Sequence, residues 1–412
     1  MKDRSAVIAL DRDDPLAGKR SAFQLPADKV YLDGNSLGAL PVAVTGSMQA
    51  TLLEHWGEDQ ISSWNNHGWI DLPQRAGEKI APLIGAAEGQ VICCDSISVN
   101  LFKLLAAALA MRPRRGVILS AQDNFPTDLY MAQGIGKLLG EARCHLHQVP
   151  TSQIMSAIDS KVAVVMLSHV DFRSGKILPM REITAAAHAA GALVIWDLAH
   201  SAGVLPVTVD ADHVDFAVGC GYKYLNGGPG APAFVYAAAR HHAQIQQPLC
   251  GWMGHRDPFS FEPNYAAAEG MQQFLCGTPP VLSMVALDAA LDVFADVSVA
   301  DLRNKSIALG ELFVELVMQC ELAELLTLRS PAKPDERGSQ LAWSHPAAYG
   351  LCQAWIEQGV TADFREPDLL RVGFSPLYSS FSDVWVAIER LRAVVSQGAH
   401  LDPRWQQKNR VT

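Results

Sequence analysis

The sequence predicts an α/β protein that has a large domain, with a mainly parallel central sheet flanked by helices, and a smaller α+β domain. Between about residues 80 and 240, short β-rich runs alternate with helical patterns, which is typical of strand–helix–strand units. The run Val162–Ser168 is almost entirely apolar, as in a parallel strand that helices cover on both faces. From about residue 320 to 400, helices mix with short strands, which indicates the smaller domain.

The composition is that of a globular protein with room for two domains. The chain has 412 residues, of which 49% are hydrophobic and 18% are charged, so it can bury an ample core. Its net charge of −10 argues against nucleic acid and anionic membranes as main partners. The N-terminus lacks a signal-peptide pattern, and the eight cysteines lack metal-site spacing. We therefore expect a cytoplasmic protein with reduced thiols and no metal site.

The predicted elements follow one another from the N-terminus. An alanine-rich helix that begins at Glu182 is closed by Gly191, which is a typical helix end. The expected strands are Val117–Ser120, Val162–Ser168, 192–197, Phe216–Val218, Ala233–Tyr236 and Leu369–Phe374, and the expected helices are 40–56, Leu101–Met111, Glu182–Ala190 and Ser283 to about Gln319. We expect three segments: residues 1–55 contributing to the small domain, 56–282 forming the large domain, and 283–412 forming a linking helix and the small domain.

Lys223 has the most distinctive surroundings in the sequence. It lies between the apolar run Phe216–Val218 and the glycine-rich turn Gly227–Gly230, and Asp197 ends another apolar strand 26 residues earlier. This pair suits pyridoxal phosphate (PLP), because the lysine forms a Schiff base and the carboxylate keeps the pyridine nitrogen protonated. Taken singly, a hairpin lysine and a helix-capping aspartate are ordinary, but the combination favours the cofactor. His200 either packs over the cofactor ring or is a satisfied core histidine.

A PLP site also needs a phosphate cradle, a stacking ring and an anion site for the substrate. Asp95–Leu101 offers hydroxyl and N–H groups at a helix N-terminus, although a plain helix cap has the same pattern. Phe125 precedes a proline in a loop, where it either stacks on the ring or anchors the loop. Arg371 alternates with apolar residues in a strand and suits either a substrate carboxylate or an internal ion pair with Glu366 or Asp368.

Short motifs containing these residues extend over nearly the whole chain. They are Tyr31–Gly38, Ser98–Phe102, Asn124–Asp128, Trp196–Gly203, Tyr222–Gly230, Gly251–Trp252 and Arg371–Phe374. Through them the chain resembles the kynureninases, which are fold-type-I PLP enzymes. The resemblance implies hydrolysis of L-kynurenine, or of its 3-hydroxy form, to anthranilate or 3-hydroxyanthranilate and L-alanine by Cβ–Cγ cleavage, in tryptophan catabolism. It also implies a homodimer with the active site at the subunit interface.

The resemblance also implies roles for individual residues. Lys223 would carry PLP and Asp197 would pair with its ring nitrogen, and the other cofactor contacts would be Ile97, Ser98, Phe125, Pro126, Thr127, Asp128, Ser168, His200 and Tyr222. Trp252 and Thr278 would reach the phosphate from the other subunit, and the family's animal members carry Asn at the position of Thr278. Arg371 would bind the substrate carboxylate, and the remaining substrate contacts would be Ser36, Asn35, Trp64 and His67.

Tyr222 is the expected proton shuttle at the substrate carbonyl, because a neighbouring cationic imine would lower its pKa. Two rival functions stay open beside this one. A cysteine desulfurase-like lyase shares the fold and cofactor but needs a mobile cysteine, whereas Cys352 lies in the expected helix Tyr349–Ala354. The other rival is a catalytically silent binding protein on the same fold, against which the presence of Lys223, Asp197 and Arg371 together argues.

Overall fold

The computed structural model describes residues 2–409 and contains two units, each built around a β-sheet. The helices are α1 (Arg4–Asp13), α2 (Val42–Ala50), α3 (Ser63–Asn66), α4 (Leu72–Ile80), α5 (Ile97–Met111), α6 (Pro126–Leu139), α7 (Ile154–Ala157), α8 (Met180–Ala189), α9 (Val281–Leu291), α10 (Val299–Met318), α11 (Ala348–Glu357) and α12 (Phe381–Ser396). The strands are β1 (Phe23–Gln24), β2 (Val30–Tyr31), β3 (Leu40–Pro41), β4 (Val91–Cys93), β5 (Val117–Ala121), β6 (His145–Val149), β7 (Val162–Ser168), β8 (Leu193–Asp197), β9 (Phe216–Cys220), β10 (Ala233–Ala237), β11 (Thr327–Leu328), β12 (Gln340–Ser344), β13 (Val360–Thr361), β14 (Asp363–Arg365) and β15 (Leu369–Gly373).

A seven-stranded sheet forms the centre of the larger unit in the described part of the chain. Its strand order is β4-β10-β9-β8-β7-β5-β6. The strands from β9 to β6 run parallel to one another, whereas β10 is antiparallel to both of its neighbours. Helices α4, α8 and α9 pack on one face and α5 and α6 on the other, which is why the central strands are apolar throughout. The predicted α/β class and mainly parallel sheet are confirmed.

The loop between β9 and β10 carries Lys223. The two strands are antiparallel neighbours, so residues 221–232 connect them directly and need no crossover helix. The chain therefore leaves the sheet at the carboxyl end of β9 and returns at the same end. This route holds Lys223 beside the carboxyl ends of the parallel strands.

The smaller unit is built on an antiparallel sheet of order β11-β12-β15-β14. Side chains of α10, α11 and α12 form its core, and the predicted α+β character is confirmed. The expectation of one helical stretch from Ser283 to about Gln319 is wrong, because the chain leaves the helix after Leu291. Ser298 then caps a new helix by accepting a hydrogen bond from the Ala300 N–H, so α9 and α10 are separate.

The N-terminal segment folds with the C-terminal part of the chain. Strand β2 pairs in parallel with β13, and Asp33 forms a bridge with Gly373. A few residues later, the Gly38 N–H donates a hydrogen bond to the Tyr222 carbonyl at 2.8 Å. The segment therefore connects the small sheet to the loop that carries Lys223.

Helix α2 continues as a π-helix over Thr51–Asp59, so the helical stretch predicted at 40–56 is present with a change of winding. Between residues 2 and 409, none of the helices is long and apolar enough to cross a membrane.

Candidate active site

A cavity of about 280 Å³ opens at the carboxyl ends of the parallel strands. This is the usual ligand position in open α/β sheets, because loops from several strands converge there. The lining residues are Ser96, Ile97, Ser98, Phe125, Thr127, Asp128, Ser168, Val170, Phe172, Asp197, Ala199, His200, Cys220, Tyr222, Lys223, Ala231 and Ala233. The structure thus brings together most of the cofactor contacts that the sequence predicts within one chain. Pro126 instead lines the neighbouring cavity.

The Lys223 side chain lies among three rings of the cavity wall. Its Nζ is 3.0 Å from Nε2 of His200, 5.8 Å from the centre of the Phe125 ring and 5.9 Å from that of Tyr222. Burial, followed by the positive charge of Lys223, lowers the pKa of His200 well below its usual value. A neutral His200 ring can accept a hydrogen bond from Lys223, which holds the amine at the cavity wall.

Asp197 is a buried carboxyl group at the end of β8. Its Oδ1 accepts a hydrogen bond from the Ala199 N–H at 2.8 Å. Burial raises the pKa of Asp197, while the charge of Lys223 and this backbone hydrogen bond oppose the rise. A buried carboxylate in such surroundings is stabilised by a second cation, such as a protonated ring nitrogen.

Several buried polar atoms of this cavity have no hydrogen-bond partner among the described residues. They are Oδ1 of Asp128, Oγ of Ser168 and Nδ1 of His200. Asn124 holds two of these residues in place, since its amide donates to Asp128 at 3.0 Å and its carbonyl oxygen accepts from the Ser168 N–H at 2.7 Å. Because buried polar atoms are nearly always paired, these atoms indicate a polar ligand.

The N-terminus of α5 forms one end of the cavity. Ser96 caps the helix by accepting from the Val99 N–H at 3.4 Å, and the first-turn residues Ile97 and Ser98 line the cavity. First-turn N–H groups have no acceptor inside a helix and carry its positive dipole end, so they suit a phosphate dianion. With the lysine, the aspartate and Phe125 on the remaining walls, the residues fit PLP.

The side chains around Tyr222 raise the pKa of its phenol, whereas the predicted lowering depends on a cationic imine beside the ring and stays a prediction. Burial is the main cause that raises the pKa of Tyr222, and the nearby Cys220 and Asp197 raise it further because they disfavour a phenolate. The phenol therefore stays protonated and can donate a hydrogen bond.

Arg371 lines neither cavity, but its partner Asp363 lines a second cavity of about 590 Å³, which shares Phe172 with the first. The Arg371 side chain is 2% exposed and donates to both carboxylate oxygens of Asp363, with 2.7 Å between Nε and Oδ1. Asp363 stands directly opposite Arg371 on β14, so the sequence alternatives Glu366 and Asp368 are not its partners. Burial raises the pKa of Asp363, but the Arg371 contact outweighs it and keeps the pKa below its usual value.

Ser36 joins this cluster, whereas Asn35 does not. The Ser36 hydroxyl donates to Asp363 at 2.7 Å, and Ser36 lines the second cavity. Asn35 is buried against Gly373, where an added Cβ would collide with its side chain. Asn35 lines neither cavity, and its side-chain amide has no hydrogen-bond partner among the described residues.

Trp64 and His67 lie outside both cavities of their own chain. Trp64 packs edge-on against Trp69, with 6.0 Å between ring centres. His67 stacks on His55 at 3.5 Å and bonds to Asp59 at 2.6 Å. Their predicted contact with the substrate ring is not made within the single chain.

Trp252 and Thr278 also lie outside the cavity of their own chain. Trp252 is 38% exposed and forms an exposed aromatic cluster with Phe259 and Phe261, and Thr278 is exposed as well. Both side chains point to a surface that is open in the single chain.

Sequence reasoning missed several residues of the site. Phe172 lies edge-on to Phe125, with 5.2 Å between the ring centres, and its carbonyl accepts from Arg371. A signal for Phe172 was its place just after the end of a buried strand, like that of Phe125. Asn124 stood inside a recognised motif, but only the structure gives it partners. The pairing of Asp363 with Arg371 depends on strand register, which the sequence does not state.

Comparison with known proteins places the chain among related enzymes. The family model described as "Aminotransferase class-V" matches residues 30–344, and the one described as "Kynureninase C-terminal domain" matches residues 302–391. A kynureninase of Burkholderia pseudomallei (strain 1106a) is 48% identical over 417 residues, and one of Pseudomonas fluorescens is 44% identical over 416. Each alignment covers 100% of both chains.

Solved structures resemble the chain in fold at lower identity. The cysteine desulfurase CsdA of Escherichia coli has a TM-score of 0.78 at 19% identity, covering 93% of this chain and 98% of its own. A C-DES mutant with glycine linked to its PLP cofactor has a TM-score of 0.76 at 19% identity, covering 95% and 99%. At such identities, the likeness shows the fold alone.

Proposed function

The chain belongs to the kynureninase family, and on that premise we propose that it hydrolyses L-kynurenine to anthranilate and L-alanine, in tryptophan catabolism. The observation that carries this proposal is 44–48% identity over the full length of relatives with that activity in their names. Its cofactor is pyridoxal phosphate, which the unpartnered buried atoms and the helix N-terminus of the cavity fit.

The cofactor contacts are assigned here as a proposal. Bound PLP supplies an electron sink for negative charge that develops on the substrate carbon skeleton. Lys223 would hold the cofactor covalently, Asp197 would keep its ring nitrogen protonated, and Phe125 would stack on the ring. Ser98 and the first N–H groups of α5 would hold the phosphate, and the other predicted contacts are Ile97, Pro126, Thr127, Asp128, Ser168 and His200.

The residues around the substrate divide the proton transfers among them. The Lys223 amine takes the proton from the substrate's α-carbon, and the neutral His200 beside it accepts the hydrogen bond that orients this amine. Tyr222, kept protonated by its buried surroundings, donates a hydrogen bond to the γ-carbonyl oxygen as water adds to that carbon. The Cβ–Cγ bond then breaks, the β-carbon takes up the proton that the added water gives up, the α-carbon takes its proton back from Lys223, and the products leave as anthranilate and L-alanine.

Arg371 would bind the substrate α-carboxylate while Asp363 and Phe172 hold its guanidinium group in place. Two of its nitrogens already donate to Asp363, and a third donates to the Phe172 carbonyl, so the group is fixed before the substrate arrives. Ser36, which lines the second cavity, would complete this side of the site, whereas Asn35 lies next to it in the chain but outside both cavities.

We propose a homodimer in which each subunit completes the site of the other. The exposure of Trp252, and of Phe261 at 75%, supports this because such aromatic side chains are usually covered in an assembly. Trp252 and Thr278 would contact the partner's cofactor phosphate, and Trp64 and His67 would contact the substrate ring across the interface.

The proposal extends to location, to a second substrate and to domain limits. A cytoplasmic location agrees with the eight free thiols found among the described residues. As a second substrate, we propose 3-hydroxykynurenine. We keep the predicted division at residues 55 and 282. The pairing of β2 with β13 supports a contribution of the N-terminal segment to the small domain.

The test is release of anthranilate, measured by its fluorescence, from L-kynurenine with purified protein and PLP, with 3-hydroxykynurenine assayed in parallel. Equal amounts of anthranilate and L-alanine are expected. A protein that binds PLP but forms neither product would show that the substrate is a different one. Lys223→Ala should lose both the product and the visible absorbance of covalently held cofactor.

The cysteine desulfurase alternative is not favoured. The two structures named as cysteine desulfurases are 18–19% identical to this chain, which shows a shared fold and no more. Cys352, the cysteine considered for that chemistry, is buried in α11, and burial raises its pKa. A buried thiol of this kind is a poor nucleophile.

A further inference from the structure

Lys103 is a fully buried lysine on α5 that takes part in no step described above. Its side chain is 0% exposed, and its Nζ lies 2.5 Å from Oδ2 of Asp95 and donates to the Phe274 carbonyl. Lysine is rarely buried without a partner, because removing its charge from water is costly. The position of its partner Asp95 indicates what the buried charge does.

Asp95 lies in the turn that joins β4 to α5. Its backbone adopts a left-handed conformation with φ of +47°, and its carbonyl accepts from the Ala233 N–H at 2.9 Å. Residues other than glycine adopt this conformation only when their surroundings hold them there. Lys103, which stands on α5 eight residues after Asp95, ties Asp95 to the body of this helix. The contact therefore fixes the direction in which Ser96, Ile97 and Ser98 enter the cavity.

Because Asp95 is negatively charged, its ion pair with Lys103 also affects how well a phosphate can bind nearby. Asp95 lies next to Ser96, the residue that caps α5 at the phosphate end of the cavity. An unpaired carboxylate there would repel a phosphate dianion and oppose the positive end of the helix dipole. The buried Lys103 neutralises Asp95, so the dianion can approach the N–H groups and hydroxyls of the first turn without repulsion from Asp95.

We propose that Lys103 is a positioning residue for the cofactor phosphate, acting through Asp95. It orders the turn before α5 and neutralises the carboxylate of Asp95, the residue that precedes the cap Ser96. The proposal rests on the proposed function, since it takes PLP as the ligand of the cavity.

The test compares binding of PLP with binding of pyridoxal, which lacks the phosphate, to the cofactor-free Lys103→Met protein. Loss of a charged contact should weaken PLP binding by about tenfold or more, while pyridoxal binding changes by less than about twofold. Both dissociation constants are measured from the visible absorbance of the bound ligand.

A second buried lysine provides a matched control. Lys305 on α10 is 5% exposed and lies 2.7 Å from Asp14, and neither residue lines either cavity. Lys305→Met should lower stability as Lys103→Met does, but it should leave the ratio of PLP to pyridoxal affinity unchanged. A parallel fall of both affinities in Lys103→Met would mean that Lys103 only supports packing and would overturn the proposal.

A double variant tests the electrostatic part of the argument. Asp95→Asn combined with Lys103→Met removes both charges, and it should recover most of the lost PLP affinity. Asp95→Asn alone should keep a ratio of PLP to pyridoxal affinity at least as high as that of the unchanged protein. This variant provides a test if Lys103→Met does not fold. A double variant as weak as the single one would refute charge neutralisation. Because these are binding measurements, a protein that binds PLP normally but releases no anthranilate would overturn the proposed function and leave this result standing.

Discussion

Replacement of Gly38 by alanine should disturb the active site without touching any group that takes part in the chemistry. Gly38 is buried where the N-terminal segment crosses the Lys223 loop, and its N–H donates to the Tyr222 carbonyl. A Cβ at this position would collide with the Lys223 carbonyl and would lie 2.5 Å from Oδ1 and 2.7 Å from Cα of Asn226. Most of these atoms belong to backbone, so they cannot rotate away.

The size of the effect follows from these distances. To reach 3.4 Å, where ordinary contact begins, the backbone Cα of Asn226 must retreat by about 0.7 Å. Overpacking of this kind costs about 1–3 kcal/mol of stability. A displacement of about 1 Å at a catalytic group lowers the rate by about a hundredfold, and Lys223 stands on the displaced loop.

The assay measures kcat, the visible absorbance of bound cofactor and the melting temperature of Gly38→Ala. The control is Gly46→Ala, because Gly46 lies in α2 of the same N-terminal segment and an added Cβ there meets no atom within 4 Å. Alanine favours a helix over glycine by about 0.5–1 kcal/mol, so the control should be active and slightly stabilised. A Gly38→Ala protein with unchanged rate and melting temperature would refute the idea that this crossing fixes the Lys223 loop.

Two further predictions concern Arg371 and His169. Arg371→Lys replaces a forked contact with Asp363 by a single one, so KM for kynurenine should rise by about ten- to hundredfold. Inhibition by L-alanine should weaken, whereas inhibition by anthranilate should not, because anthranilate lacks the α-carboxylate. Equal weakening of both would contradict the role of Arg371 in binding that carboxylate. Burial lowers the pKa of His169 to about 4, so the unfolded chain binds the proton first as the pH falls. The contribution of His169 to the free energy of unfolding is complete above pH about 6.5 and should fall by about 2 kcal/mol by pH 5. Urea unfolding should detect this loss, and His169→Gln should remove it.

Much of the large domain was predictable because its strands are buried on both faces. A strand that is buried on both faces, such as Val162–Ser168, is apolar throughout in almost any parallel sheet. The sequence therefore located this strand correctly. The direction of β10 was not predictable, because Ala233–Tyr236 has the same composition whether the strand runs parallel or antiparallel. The break between α9 and α10 was missed because apolar residues continue through it, although Ser298 followed by Asp301 is a helix-start signal.

In the site, sequence reasoning located the residues that stand at strand ends. It did not find the partner of a residue when that partner depends on the register between two strands. Lys223 and Asp197 meet in one cavity because the carboxyl ends of neighbouring strands converge. The partner of Arg371 could not be read, because the choice among Asp363, Glu366 and Asp368 depends on which residue stands opposite it. The roles predicted for Trp252 and Thr278 concern a second subunit, so a single chain provides no partner for them.

The pairing of β2 with β13 has a consequence for the order in which the protein is made. Residues 30 and 31 leave the ribosome early, but their strand partners at 360 and 361 follow some 330 residues later. The strands of the large sheet, from 91 to 237, are complete well before then. Ser36 therefore lacks its partner Asp363 until the last part of the chain emerges, whereas the contact of Gly38 with Tyr222 can form earlier. A nascent chain that stops short of residue 360 should hold a folded sheet yet have no catalytic activity.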